Sequence, residues 1–106
     1  MTAEDVGAAL QRSFGAATKS TKTAVSVTTS AVAVLAANPR RKTALLVNAE
    51  ASGGVTLYVG DSTVTTSNGL PLAPGGSITD NASTDAWYAV CGSAANLRIM
   101  EVVKDS

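Results

Sequence analysis

The side chains able to do chemistry in this sequence are few, and their spacing assembles no reactive set. Histidine is absent, which removes the usual general base of nucleophilic triads and the commonest transition-metal ligand. Cys91 is the only cysteine, so no intrachain disulfide can form. It lies between Val90 and Gly92 at the end of an apolar run, the setting of a small buried hydrophobe rather than an activated thiolate. Serine and lysine are both available for a dyad, but no spacing singles out a pair. Glu50, Asp61, Asp80, Asp85 and Glu101 fall at turns or strand ends, where carboxylates cap turns and stay solvated. No D-x-D-x-D-G loop offers a calcium site. Gly53-Gly54 and Gly75-Gly76 lack the following helix and Lys-Ser/Thr pair of a phosphate loop, and read as turns. The expectation is a chain that is not an enzyme, with no catalytic residue, cofactor or metal.

Charge points the same way. Eight basic groups balance eight acidic ones, without the excess of Lys and Arg that displaces counterions from phosphate, so no nucleic-acid partner is expected. The one local basic cluster is Arg40, Arg41 and Lys42. It reads either as a solvated turn or as a patch that salt-bridges an acidic partner surface. Tyr58, Trp87, Tyr88 and Phe14 are the only large aromatics. Trp87 reads as a packing anchor or an interface residue, and it lacks the basic neighbours of a base-stacking platform. No apolar stretch is long enough to span a bilayer, and the opening Met-Thr-Ala-Glu-Asp is acidic where an export signal is basic. A soluble protein made in the cytosol is expected, with no membrane partner.

The elements that must position these groups divide at about residue 22. Val6, Leu10 and Phe14 recur at four-residue spacing, which predicts a short amphipathic helix, capped by Thr2 and Asp5 and stopped at Gly15. A helix this short is marginal alone, so its apolar stripe docks on its own β body, docks on a neighbour, or stays disordered. Ala16 to Lys22 reads as an exposed linker. Beyond it the period becomes two. Strands are expected around Val25 to Val27, Ala31 to Ala37, Thr43 to Asn48 (apolar on both faces), Val55 to Val59, Trp87 to Cys91 and Leu97 to Val103, with a short edge strand at Val64. Ala51-Ser52-Gly53-Gly54 predicts a hairpin joining Leu45 to Val59. In the last strand Leu97, Ile99 and Glu101 share one face and Arg98, Met100 and Val102 the other, so one side packs a core and the other meets something else. Short strands every 8–12 residues or so predict an all-β fold, a compact antiparallel β-sandwich or barrel over 23–106 behind an extended, partly helical arm and linker over 1–22. The core is expected to be thin, because the 45% hydrophobic content is mostly Ala and Val and only 4% of residues are aromatic.

Three stretches, Asn38-Pro-Arg-Arg-Lys-Thr-Ala-Leu-Leu-Val-Asn48, Val55-Thr-Leu-Tyr-Val-Gly60 and Val64 to Ile78 with its Asn-Gly-Leu-Pro-Leu-Ala-Pro-Gly-Gly turn, followed by Trp87-Tyr-Ala-Val90 and Leu97 to Glu101, resemble small virion proteins of tailed bacteriophages. The resemblance spans about Thr23 to Val102; the acidic loop Asp80 to Asp85 departs from it in length and polarity. It implies a head decoration, or cement, protein on the virion surface, made in the host cytoplasm and bridging subunits of the major capsid protein. Such proteins sit as trimers or dimers with a terminal arm over neighbouring subunits. Here that implies Val6, Leu10 and Phe14 docking in a capsid groove, and Arg40 and Arg41 pairing with capsid carboxylates. Two alternatives remain at this level: a head–tail connector, neck or tail/fibre-base subunit, and a carbohydrate- or peptide-binding adhesion module.

Overall fold

A computed structural model describes residues 18–104. Eight strands form two antiparallel sheets: β1 (Thr18–Val27), β2 (Val32–Leu35), β3 (Arg41–Asn48), β4 (Leu57–Gly60), β5 (Leu70–Leu72), β6 (Ser77–Asp80), β7 (Trp87–Cys91) and β8 (Ala95–Lys104). The first sheet runs β1-β8-β3-β6 and the second β2-β7-β4-β5. Pairing is nested: β1 with β8, β2 with β7, β3 with β6, and β4 with β5 at the closed end. One long folded hairpin wrapped in this way is the jelly-roll form of the β-sandwich. No helix occurs among the described residues.

Alternation along each strand decides which side chains meet between the sheets. In β3 the inward residues are Ala44, Leu46 and Asn48, and in β8 they are Ala95, Leu97 and Ile99. They pack against Val34, Leu57, Val59, Leu72, Ala89 and Cys91 of the second sheet, with Val27 closing one end. This core holds no aromatic ring. Trp87 packs against it half-buried, at its margin rather than at its centre. Pro71 lies in β5, an edge strand, where its missing N–H interrupts no interior ladder. Cys91 is buried, its Sγ 3.4 Å from the Val27 carbonyl.

Three sequence expectations change. The run from Leu45 to Val59 is not a hairpin, because β3 and β4 belong to different sheets. The Ala51–Gly54 turn, closed by the Gly54 amide on the Ala51 carbonyl at 2.9 Å, carries the chain across the sandwich instead. Gly53 there has φ +87°, a conformation glycine adopts without strain. Asn48 fixes the crossing. Wholly buried at the end of β3, it donates from Nδ2 to the Val55 carbonyl at 2.9 Å and the Leu72 carbonyl at 2.8 Å, and its Oδ1 accepts the Glu50 amide at 3.0 Å. Val64 is buried in a turn rather than in a strand; Asp61 caps that turn by accepting from the Thr63 amide at 2.9 Å and hydroxyl at 2.6 Å. Finally, β1 begins at Thr18, so residues 18–22 are strand and not linker. They are an edge segment whose side chains all face solvent while the backbone pairs with β8, so they carry no apolar alternation to read. The predicted helix over Val6 to Phe14 lies outside the described residues.

Candidate interaction face

Arg40 and Arg41, neighbours in sequence, part company in the fold. Asn38 forms the turn before β3, accepting the Arg41 amide on its carbonyl and the Arg40 amide on its side chain, both at 3.0 Å. Arg40 is exposed there. Between Arg41 and Thr43 the pairing with β8 slips by one residue, and such a bulge re-aims side chains. The Arg41 guanidinium turns inward, its side chain fully buried, with Nε 2.8 Å from Glu101 Oε2. Its Nη1 donates to the carbonyls of Asp85 at 2.8 Å and Ser83 at 3.4 Å, and Nη2 donates to that of Ala36. Arg41 therefore cannot pair with carboxylates of a partner: its donors are spent holding the 83–85 loop and the end of β2 onto the first sheet.

Asp80 works from the other side of the same loop. Its Oδ1 accepts the Ala82 and Ser83 amides at 2.9 and 3.0 Å, and its Oδ2 the Trp87 indole N–H at 2.9 Å. Burial pushes this carboxyl up. The Ala82 amide, Trp87 indole and Ser83 amide, with the Arg41 charge nearby, outweigh that and hold it below its ordinary 3.8. Asp80 is thus a buried organiser and not the solvated cap expected of it. The loop is polar because it is tied internally.

The surface that does break the sandwich pattern is the outer face of the first sheet. An antiparallel sheet with one solvated side alternates apolar-in and polar-out. Here the outward positions of the two central strands include Leu45 and Val47 beside Thr43 on β3, and Met100 and Val102 beside Arg98 on β8. Register places them in rows across the sheet: Ala24, Arg98 and Val47; then Lys22, Met100 and Leu45; then Ser20, Val102 and Thr43. The first two rows line a shallow depression of about 540 Å³. Lys22 and Arg98 set a positive margin, and neither forms an ion pair among the described residues.

None of these residues stands among the contact residues read from sequence. The signal was nonetheless present, in the two runs with apolar residues on both faces, Thr43 to Asn48 and Leu97 to Val103. Of the residues that were singled out, Arg40 is exposed, Arg41 is internal, and Val6, Leu10 and Phe14 lie outside the described residues. No group of three or more Cys, Asp or Glu able to hold a metal ion occurs among the described residues.

No protein-family model matches this sequence, and no curated protein does. Among solved structures the chain is similar to one described under the words "Bacillus endospore appendages form a novel family of disulfide-linked pili", with 14% identity, a TM-score of 0.49, and coverage of 85% of this chain and 88% of the other.

Proposed function

We propose that this protein is a non-enzymatic structural subunit of a tailed-phage virion, a head decoration protein that binds the assembled shell and bridges its subunits. The observation that carries the proposal is the outer face of the first sheet. Leu45, Val47, Met100 and Val102 place half-buried apolar side chains where a self-sufficient sandwich places polar residues, and a contiguous apolar patch marks an interaction site. The rigid jelly-roll behind it suits a docking role, as does the Arg41–Asp80 bracing of its loops. Virion proteins are among the many users of that fold. The stretches that resemble phage virion proteins include β3 and the Leu97 to Glu101 half of β8, the two strands that supply the apolar rows. The partner is the major capsid protein, and the subunit attaches as a dimer or trimer.

A density map of the intact particle tests this. Many copies spread over the head, with the first sheet toward the shell, is the expected result. A few copies confined to the neck or tail would assign the domain to the junction instead. Absence from purified particles would remove the virion reading altogether.

A further inference from the structure

The outward positions of the first sheet carry cations and no carboxylate. Side chains alternate between the two faces of a strand, which puts Lys22 of β1 and Arg98 and Lys104 of β8 on the outer face, all three exposed. Its other outward residues are Ser, Thr, Asn or apolar, with Ser77 and Thr79 completing the rows on β6. The five carboxylates of the described residues stand elsewhere. Glu101 pairs with Arg41, Asp80 accepts from its own loop and Trp87, and Asp61 caps its turn. Glu50 is held by Asn96 at the end of the face, through the Asn96 amide at 3.0 Å and Nδ2 at 3.1 Å, and Asp85 lies in the loop before β7. Lys22, Arg98 and Lys104 therefore form no ion pair among the described residues. We infer that this face takes a partner protein segment in which carboxylates flank apolar side chains. The inference rests on the reading of this face as the shell contact and specifies the chemistry that the shell must present.

Register gives the pattern its dimensions. Arg98, Met100, Val102 and Lys104 follow one another along β8 on this face, a cation at each end of an apolar pair and about 20 Å between the two cations. Lys22 lies opposite Met100 and so diagonal to Arg98, about 7–8 Å from it across the strands, close enough for both to serve one acidic cluster. Between these cations the floor of the 540 Å³ depression is made by Ala24, Leu45, Val47 and Met100. Leu45, Val47 and Met100 are half-buried while Lys22 and Arg98 are exposed at the margin, so the projecting apolar side chains must come from the partner. In such a contact the apolar centre holds and the charged rim steers and selects. A second copy's identical face is the poorer occupant, since it would set like-charged margins against each other and is recessed in the same way. A bilayer surface is also poorer, because proteins that lie on membranes bury their apolar side chains among the lipids, and here those side chains sit below a charged rim.

Attachment of the purified full-length protein to stripped heads, followed as salt rises from about 20 to about 300 mM, gives the first test. A cleft lined by one sign of charge speeds association and loses that gain as ions screen it, so the rate should fall roughly tenfold or more. Lys22→Glu/Arg98→Glu should lose a similar factor at low salt. Lys19→Glu/Arg40→Glu changes net charge equally at exposed positions off this face and should not. Circular dichroism checks that both variants fold. Equal losses in the two variants, or a rate indifferent to salt, would overturn the inference and leave the shell reading standing. A probe free of particles separates the two from the other side. In an NMR titration of the parent protein, a blocked Glu-Leu-Ala-Leu-Glu peptide should shift the amides of Ala24, Val47 and Met100, and a blocked Lys-Leu-Ala-Leu-Lys peptide should not. A parent that ignores heads but shows this preference would end the shell reading and keep the acidic, apolar chemistry of the partner. Equal binding of the two peptides, shifts confined to other surfaces, or phosphatidylglycerol vesicles taking the face in place of the acidic peptide would overturn the inference.

Discussion

Arg41 and Glu101 face each other across β3 and β8 with Nε and Oε2 2.8 Å apart, and the arginine side chain is wholly buried while that of the glutamate is 14% exposed. The pair closes the end of the sandwich at which the 83–85 loop and the end of β2 are tied to the same guanidinium. Arg41→Ala leaves a partly buried carboxylate and several carbonyls without their donor. A loss of about 3–5 kcal/mol is expected, read by denaturant unfolding. Arg40→Ala, one residue away and exposed, is expected to stay within about 0.5 kcal/mol of the parent. Similar effects from the two substitutions would contradict the inward turn of Arg41.

Asn48 is the polar counterpart at the other end of β3. Asn48→Leu retains bulk but orphans the Val55 and Leu72 carbonyls and the Glu50 amide, and should cost about 2–4 kcal/mol. Hydrogen exchange should show the opening concentrated in the Ala49 to Thr56 crossing.

The depressed Asp80 carboxyl makes stability depend on pH in a definite sense. A group whose folded pKa lies below its unfolded value stabilises the fold above the unfolded pKa and loses that contribution as pH falls through the folded one. Stability should therefore hold from neutrality to about pH 4 and decline below it. Asp80→Asn, which cannot titrate, should start less stable at pH 7 and lose less between pH 5 and pH 2 than the parent. Thermal melts across that range decide it; parallel declines in the two proteins would remove Asp80 as the cause.

On the outer face, Leu45→Glu with Met100→Glu should leave the β-sandwich folded, because both side chains point away from the core, and should abolish attachment to particles. Circular dichroism and co-sedimentation with stripped heads read the two effects separately. Undiminished attachment would exclude this face as the shell contact.

Cys91 should stay unreactive toward a thiol reagent in the native state and react at the rate of unfolding, since its Sγ is buried against the carbonyls of Val27 and Thr28. Rapid native labelling would show that the second sheet opens there.

Strand positions were legible because period-two alternation and turn residues are local. Val55 to Val59, Trp87 to Cys91 and Leu97 to Val103 announce themselves without reference to anything distant. Partner choice is not local. A Gly-Gly turn between two apolar runs serves a hairpin or a crossing between sheets equally well, and only the burial of Asn48 beside Val55 and Leu72 separates them. Arg41 was misread for a related reason: a basic run after Asn-Pro looks solvated until a bulge points one member inward at Glu101, 60 residues away. The outer face was half legible, since the double-sided apolar character of the last strand was visible but its alignment with Leu45 and Val47 needed the register.

The nesting of strands brings Thr18 and Lys104 opposite each other at the open end of the long hairpin. Any peptide grafted before one or after the other would emerge at the same corner. The two positions are also near enough for a brief linker to join them, so that the chain could be reopened at the Ser52–Gly53 turn as a circular permutant. Such a permutant would move both chain ends to the Asn48 end of β3, away from the corner where β1 begins and β8 finishes.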